Sequence, residues 1–169
     1  NAWTETLVSL DTNAKDGLDE VVLFPFDVRS IPYRHGLQLE LRSARRLGPV
    51  LTLGPAGSPD SGRISYYGTV LHIDGEFRMW YLGHPAEDLN RIRICYAVSK
   101  DGRHWVKPNL GLVSYNGNRN NNLVDLDFGN DVMSCNILYE PDDPDPLRRF
   151  KLFSEVRGEH QGNVAFSPD

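Results

Sequence analysis

The side chains of this sequence that can do chemistry are mainly carboxyl groups. The chain has 23 Asp and Glu residues among 169, with five His and two Cys. Two carboxyl groups that face each other can cleave a bond, because one donates a proton while the other attacks or activates water. No spacing of His, Cys and Asp indicates a metal site, and no motif indicates an organic cofactor. The reactive carboxyl groups therefore have to be found from the elements that position them.

The first group of elements reads as a four-stranded unit. Strand patterns cover Tyr66–Ile73, Phe77–Leu82 and Ile92–Ser99, and Trp105 begins a short fourth strand. Asp74-Gly75 predicts a tight hairpin turn after the first strand. One face of the second strand carries Phe77, Met79 and Tyr81, and the other face carries Trp80 and Leu82. Because both faces are apolar, we expect this sheet to lie between neighbouring sheets.

A second unit follows the same order. Its strands are predicted at Cys135–Glu140, Phe150–Phe153 and Asn163–Ser167, with an acidic, proline-rich turn at 142–149. Repeated blocks of three or four strands are typical of the blades of a β-propeller. The sequence therefore predicts an all-β propeller fold, with about two blades here. Because a blade needs neighbours on both faces, we expect the native protein to be longer.

The clearest repeat joins the two units. Residues 96–105 read Tyr-Ala-Val-Ser-Lys-Asp-Gly-Arg-His-Trp, and residues 164–169 read Val-Ala-Phe-Ser-Pro-Asp. Ser99 and Ser167 lie 68 positions apart, and the second copy lacks the Gly-x-x-Trp that completes the first. Common scaffold propellers repeat about every 40–50 residues. The longer period disfavours an unrelated interaction scaffold.

The predicted domain organisation has two parts. Residues 1–20 are polar and form an N-terminal extension, and residues 21–169 form a partial propeller domain. That domain begins with an N-terminal strand region, and the predicted strand Glu20–Asp27 lies at the boundary between the two parts. One blade unit spans 63–115 and a second, truncated unit spans 131–169.

Four segments resemble one family. The runs Tyr67–Tyr81 and Cys95–Gly111, the pair Asn121-Asn122 and the upstream Leu-Phe-Pro-Phe-Asp of 23–27 are similar to bacterial glycosidase-like propeller proteins related to glycoside hydrolase families 32 and 43. The resemblance extends over residues 21–169. It implies a five-bladed propeller with a sugar-binding pocket on its axis. It also implies catalytic acids near the starts of the innermost strands, contributed by successive blades.

Propeller topology reduces the number of candidate acids. If each innermost strand begins on the pocket face, the approaches to Tyr66 and Asp131 lie there, with the loops 83–91 and 157–162. Asp131 is the first catalytic candidate, because the resemblance implies an acid before the second inner strand; an ordinary loop Asp explains it equally well. Asp27, from the segment before the blades, is the second candidate, and its alternative is a strand-end Asp.

Other acids are placed by topology alone. Four lie on the pocket side: Glu87, Asp88, Glu155 and Glu159. Six belong to hairpins on the far side, where Asp favours turns by bonding its own backbone: Asp74, Asp101, Asp142, Asp143, Asp145 and Asp169. We interpret these six as structural.

Substrate-binding candidates come from the same pocket-side segments. Sugar rings stack on aromatic faces, and loop His and Arg side chains bind hydroxyl groups. The candidates are Tyr66, Tyr67, Trp80, His84, Arg157 and His160. For Trp80 the competing interpretation is a core residue between blades, and for the two histidines it is a solvated loop.

The sequence departs from the family pattern at two points. Tyr67 stands where these hydrolases often carry an acid, and the general-acid Glu of a third blade falls beyond Asp169. Two function hypotheses therefore stay open. The first is a carbohydrate-active enzyme, a glycoside hydrolase, acting on oligo- or polysaccharides. The alternative is a non-catalytic propeller that binds glycans or proteins.

Composition narrows the choice of partners and compartment. The net charge of −5 argues against a nucleic-acid partner, and no apolar run is long enough to span a membrane. The remaining blades of the same full-length chain are the expected protein neighbours. Cys95 and Cys135 each lie in a strand-like run, which favours two buried thiols over one disulfide. The chain begins at Asn1 without a signal-like segment, so the compartment stays open, with a slight preference for periplasmic or secreted.

Overall fold

A computed structural model describes residues 43, 45–124, 132–157 and 162–169 of the chain. The elements all belong to one compact unit, Leu47–Asp169. The first antiparallel sheet has the order β1-β2-β3-β4, formed by β1 (Arg63–Ile73), β2 (Glu76–His84), β3 (Arg93–Ser99) and β4 (Trp105–Val106). The second has the order β5-β6-β7, formed by β5 (Asn136–Tyr139), β6 (Phe150–Glu155) and β7 (Gly162–Ser167). A single 3-10 turn, Pro146–Arg148, precedes β6 in this described part of the chain.

The all-β prediction is confirmed, and each predicted strand of the two units is present. The differences lie at strand ends. β1 begins at Arg63 instead of Tyr66, because residues 63–65 also pair with β2, on the other side of a register shift between Ser65 and Thr69. β5 begins one residue after Cys135, because the Cys135 N–H donates to the Tyr67 carbonyl oxygen (2.8 Å) instead of to β6. No helix among the described residues is long and apolar enough to cross a membrane.

The hairpin turn between β1 and β2 follows from its sequence. Asp74 and Gly75 have φ values of +52° and +75°. Positive φ at both central residues defines the turn whose twist matches that of the two strands. The turn fixes Ile73 opposite Glu76 and sets the register of the hairpin.

The two faces of β2 belong to different clusters, as its alternation predicts. Trp80 and Leu82 lie in the core between the two sheets, where they join Phe150 and Leu152 of β6. The opposite face contributes to a second cluster, consisting of Met79, Tyr81, Cys95, Ala97, Tyr115 and Leu123. The middle strands β2 and β3 of the first sheet therefore contribute buried side chains to both of its faces.

The two cysteines are buried and free, which confirms the interpretation as thiols. Burial raises the pKa of both, for Cys135 to about 12. A thiol that stays protonated in the core behaves as a small apolar side chain.

Three acids of the described turns, Asp101, Asp143 and Asp145, accept hydrogen bonds from backbone N–H groups two or three residues ahead. The Asp101 Oδ1 accepts from the N–H groups of Arg103 and His104, both at 2.8 Å. The Asp145 carboxylate accepts from the Leu147 N–H at 3.0 Å and begins the 3-10 turn. These contacts agree with the interpretation of the turn acids as structural.

The first strands of the two sheets lie side by side. Besides the contact of Cys135 with Tyr67, the Ile137 N–H donates to Thr69 Oγ1 at 2.9 Å. Both strands run in the same direction along this contact. β1 and β5 begin on the same side of the unit, and β2 and β6 finish there. We call this side the leading end and define it by Arg63, His84, Met133 and Arg157.

Candidate functional site

An irregularity in β1 shapes the leading end of the first sheet. Ser65 pairs with Leu82 and Thr69 with Trp80, so the three residues Tyr66, Tyr67 and Gly68 lie opposite the single residue Tyr81. A bulge of this kind breaks the ladder and redirects side chains. Tyr66 and Tyr67 are 57% and 68% exposed. Two aromatic rings are thus presented to solvent next to a buried sheet.

His84, at the end of β2, lies below this surface and is only 1% exposed. Its Nδ1 lies 2.8 Å from the Leu89 carbonyl oxygen, so it is the protonated nitrogen and donates there. Its Nε2 lies 3.0 Å from Ser65 Oγ, and Arg63 Nη2 is 3.4 Å away. Burial holds the pKa of His84 below its ordinary value. The hydrogen bond to Leu89 raises the pKa, whereas the positive charges of Arg63 and Arg157 lower it further, and the net shift is downward. The imidazole is therefore a neutral structural group.

This environment predicts a pH-dependent contribution to stability. An unfolded His titrates near pH 6.5, whereas folded His84 takes up its proton only at a lower pH. Between the pKa of the folded state and that of the unfolded state, the unfolded state binds more protons, so the free energy of unfolding falls as the pH decreases. We expect His84→Gln to flatten this dependence, so that its unfolding free energy falls less steeply between pH 7 and pH 5 than that of the parent. Urea unfolding across this pH series measures it.

The matched control is His72→Gln, because His72 lies on the same hairpin and is exposed. It should keep the slope of the parent. Equal slopes for His84→Gln and the parent would show that the buried imidazole is not the group that titrates.

The second sheet brings a cationic side chain to the same end. Arg157 follows β6, is exposed, and places its Nε 3.4 Å from Met133 Sδ. The Met133 N–H donates to the Glu155 carbonyl oxygen at 2.7 Å. This hydrogen bond holds the residues just before β5 against the end of β6. Arg157 also lowers the pKa of His84, so its charge acts on the end of β2 in the first sheet.

The predicted binding residues divide into three groups. Tyr66, Tyr67 and Arg157 are exposed at the leading end. His84 lies there too, but both of its nitrogens have partners within the chain. Trp80 is packed in the core between the two sheets, with its ring 5.2 Å from that of Tyr96.

The two catalytic candidates and one binding candidate lie outside the described residues: Asp27, Asp131 and His160. Their roles stay predictions. In the described part of the chain, no three His, Cys, Asp or Glu side chains converge as metal ligands would.

Two residues of the leading end were not predicted. Arg63 and Ser65 surround His84, and nothing in their spacing indicates this, because the bulge decides which residues of β1 lie opposite the end of β2. The leading end therefore carries two exposed tyrosines, Arg63 in contact with the buried His84, and the exposed Arg157.

No protein-family model and no curated protein matches this chain.

Proposed function

We propose that this chain is part of a carbohydrate-active β-propeller protein, a glycoside hydrolase, that takes its sugar at the leading end. The observation that carries the proposal is the bulge in β1 at Tyr66 and Tyr67, two exposed tyrosines at the end of the unit where Arg157 is exposed as well. Binding sites combine aromatic surface with a few polar groups that fix orientation. A tyrosine ring offers an apolar face to a sugar ring, and a guanidinium donates to its hydroxyl groups.

The propeller part of the proposal is supported by the packing of the sheets. The first sheet packs on the second through a face that includes Leu71, Trp80 and Tyr96. The strand registers make Leu138, Phe153 and Val164 the equivalent positions of the second sheet. These three side chains are 50% to 57% exposed. The second sheet thus offers the face by which the first one packs, as successive blades of a propeller do.

The catalytic part is supported by sequence position and by the resemblance. Asp131 precedes Val132, which bridges to Val156 at the leading end. With Asp27 as the second acid, one carboxyl group would protonate the leaving oxygen while the other attacks the sugar or activates water. The hydrolases that this sequence resembles often carry an acid at the position of Tyr67. The tyrosine there favours the second candidate function, a non-catalytic propeller that binds glycans.

The two functions are separated by turnover and binding measured on the same variants. We expect Asp131→Asn to lower kcat on aryl glycosides and oligosaccharides by about 100-fold or more, with binding retained. Tyr67→Ala should weaken binding about 10-fold, as for a lost stacking group of about 1.4 kcal/mol. Asp142→Asn, in an exposed turn, is the matched control and should leave both unchanged.

Unchanged turnover in Asp131→Asn would remove this residue from the mechanism. Glycan binding that depends on Tyr67, without turnover by the parent on any substrate, would establish the non-catalytic alternative instead.

A further inference from the structure

A pocket of about 170 Å³ opens beside the end of β4. Three chain segments contribute to its walls: residues 54–60 before β1, residues 107–109 after β4, and residues 120–122. A cavity of roughly 150 Å³ is enough to bind benzene, so this pocket has room for a ligand of about one six-membered ring. None of the described residues that line it belongs to the leading end.

Part of the pocket wall consists of polar side chains that are already buried. Asp60, Asn122 and Asn121 are 1%, 5% and 9% exposed. Asn122 Nδ2 donates to the Tyr81 hydroxyl oxygen and to the Tyr96 carbonyl oxygen, both at 2.8 Å. Because these hydrogen bonds fix the side chain, binding a ligand against this wall costs little conformational entropy.

Lys107 and Asp60 are the charged side chains of the pocket, and they pair with each other. The other described residues that line it are Gly, Pro, Ser and Asn. The Lys107 ammonium donates to Asp60 and to the Thr52 carbonyl oxygen (2.6 Å), which uses two of its three N–H groups. The two charges cancel, so the pocket favours a neutral ligand and offers it one charged donor.

Two exposed asparagines of the pocket form an amide pair. Asn109 Nδ2 donates to Asn120 Oδ1 at 2.9 Å, and both residues are exposed. A side-chain amide has one acceptor oxygen and two N–H donors. The hydrogen bond therefore leaves Asn109 Oδ1 able to accept and Asn120 Nδ2 able to donate, so that one pair offers both functions to a ligand.

The strand edge next to the pocket is already paired. The Tyr96 N–H donates to the Asn122 carbonyl oxygen at 2.9 Å, and the Val124 N–H donates to the Ile94 carbonyl oxygen at 3.1 Å. An extended peptide binds by adding main-chain hydrogen bonds to an open strand edge, and this edge of β3 is occupied. The remaining neutral groups that both donate and accept are hydroxyl groups.

We propose that this pocket binds a neutral ring with neighbouring hydroxyl groups, a single sugar unit or a cyclic polyol. One hydroxyl group accepts from the third N–H of Lys107, and a neighbouring pair bonds the free oxygen and nitrogen of the Asn109–Asn120 pair. The rings of Pro55 and Pro108 line the pocket and supply apolar surface for the C–H groups of the ligand. This site goes beyond the proposed function, because it lies apart from the leading end and takes no part in bond cleavage.

The test titrates the full chain with the methyl glycosides of glucose, galactose and mannose, followed by NMR. At least one glycoside should shift the side-chain amide signals of Asn109 and Asn120, with a Kd on the order of 1 mM. The amide of Asn136, exposed on β5 of the second sheet, should not shift. Cyclohexanol, a ring of the same size with one hydroxyl group, should leave all three signals unchanged. No shift with any of the glycosides at about 50 mM would overturn the proposal.

Substitutions locate the binding. Asn120→Ala and Asn109→Ala should each raise the Kd about 10-fold, as for a loss of about 1.4 kcal/mol, whereas Asn136→Ala is the matched control and should keep the Kd of the parent. Equal Kd values for all three variants would contradict the site. A Kd that rises in Tyr67→Ala alone would also contradict it, because the sugar would then bind at the leading end and the proposed function would stand without this site.

The opposite separation is equally clear. A Kd that rises in Asn120→Ala, in a parent that cleaves no glycoside, would support this site and count against the hydrolase. Titration with myo-inositol then identifies the source of the ligand: a lower Kd than that of the glycosides assigns a free cyclic polyol, and a higher one assigns the end of a glycan. Both results support the site. Cyclohexanol binding as tightly as the polyols contradicts it, because the pocket would then recognise the ring without its hydroxyl groups.

Discussion

Replacing Asp60 with asparagine will lower the free energy of unfolding by about 3–5 kcal/mol, the cost of breaking a buried ion pair. Asp60 is 1% exposed, and its Oδ2 accepts from the Tyr81 hydroxyl at 2.7 Å and pairs with the Lys107 ammonium. Its Oδ1 accepts from Ser58 Oγ at 3.0 Å. Asparagine keeps the shape but removes the charge, so the Lys107 ammonium, itself 21% exposed, loses its counter-charge.

The phenol of Tyr81 depends on the same carboxylate. Burial raises the pKa of Tyr81, and the neighbouring Cys95 and Asp60 raise it further, so the phenol stays neutral and donates to Asp60. Asn122 Nδ2 in turn donates to the Tyr81 hydroxyl oxygen at 2.8 Å. The substitution therefore disturbs a network that spans the loop before β1, the middle of β2 and the segment after β4.

Urea unfolding followed by circular dichroism measures the loss, provided that the transition is two-state. Glu76→Gln is the matched control, because Lys100 of the Glu76–Lys100 pair (3.2 Å) is 78% exposed and exposed pairs contribute about 1 kcal/mol or less. Combining Asp60→Asn with Lys107→Met should recover part of the loss, since the unpaired charge is then gone. A cost for Asp60→Asn no greater than that for Glu76→Gln would show that the pair is not structural.

The Asp60 network explains how the outer face of the first sheet is closed. The cluster of Met79, Tyr81 and Cys95 is covered by loop residues such as Leu51 and Val113 instead of by another sheet. Loops carry polar backbone groups, and a buried polar group needs a partner. The ion pair and its hydrogen bonds provide such partners inside this covering layer.

The strands were predictable because their signal is local. Alternation with period two identified β2 and assigned Trp80 and Leu82 to one face, and the Asp74-Gly75 turn fixed the register as far as the Thr69–Trp80 pair. These features depend on neighbouring residues and on backbone geometry. A sequence read on its own contains that information.

The leading end was less predictable because its register changes. An unbroken hairpin would place Ser65 opposite His84, whereas the bulge shifts the pairing so that Arg63 lies there. The contact between Arg63 and His84 follows from that shift. The role of Asp60 was not predictable from the sequence, since its partner Lys107 lies 47 positions away. Long-range pairs of this kind leave no local pattern.

Gly68→Ala is the second substitution with a large expected effect, because Gly68 makes the bulge possible. A Cβ at this position would lie 1.9 Å from the Trp80 carbonyl oxygen and 3.2 Å from Cys135 Sγ. The first contact is with backbone, which cannot rotate away as a side chain can. We expect a loss of about 3 kcal/mol, at the upper end of overpacking costs. It exceeds the 0.4–1 kcal/mol or so that Gly→Ala contributes by restricting the unfolded chain.

The neighbouring control is Tyr67→Ala, which removes an exposed ring and leaves the backbone of the bulge intact. It should change the unfolding free energy by about 0.5 kcal/mol or less. If glycans bind at the leading end, both variants should weaken binding while only Gly68→Ala lowers stability. Gly68→Ala unfolding at the same urea concentration as the parent would mean that β1 can regain a regular ladder. In that case the exposure of Tyr66 and Tyr67 would not depend on the close approach of Gly68 to Trp80.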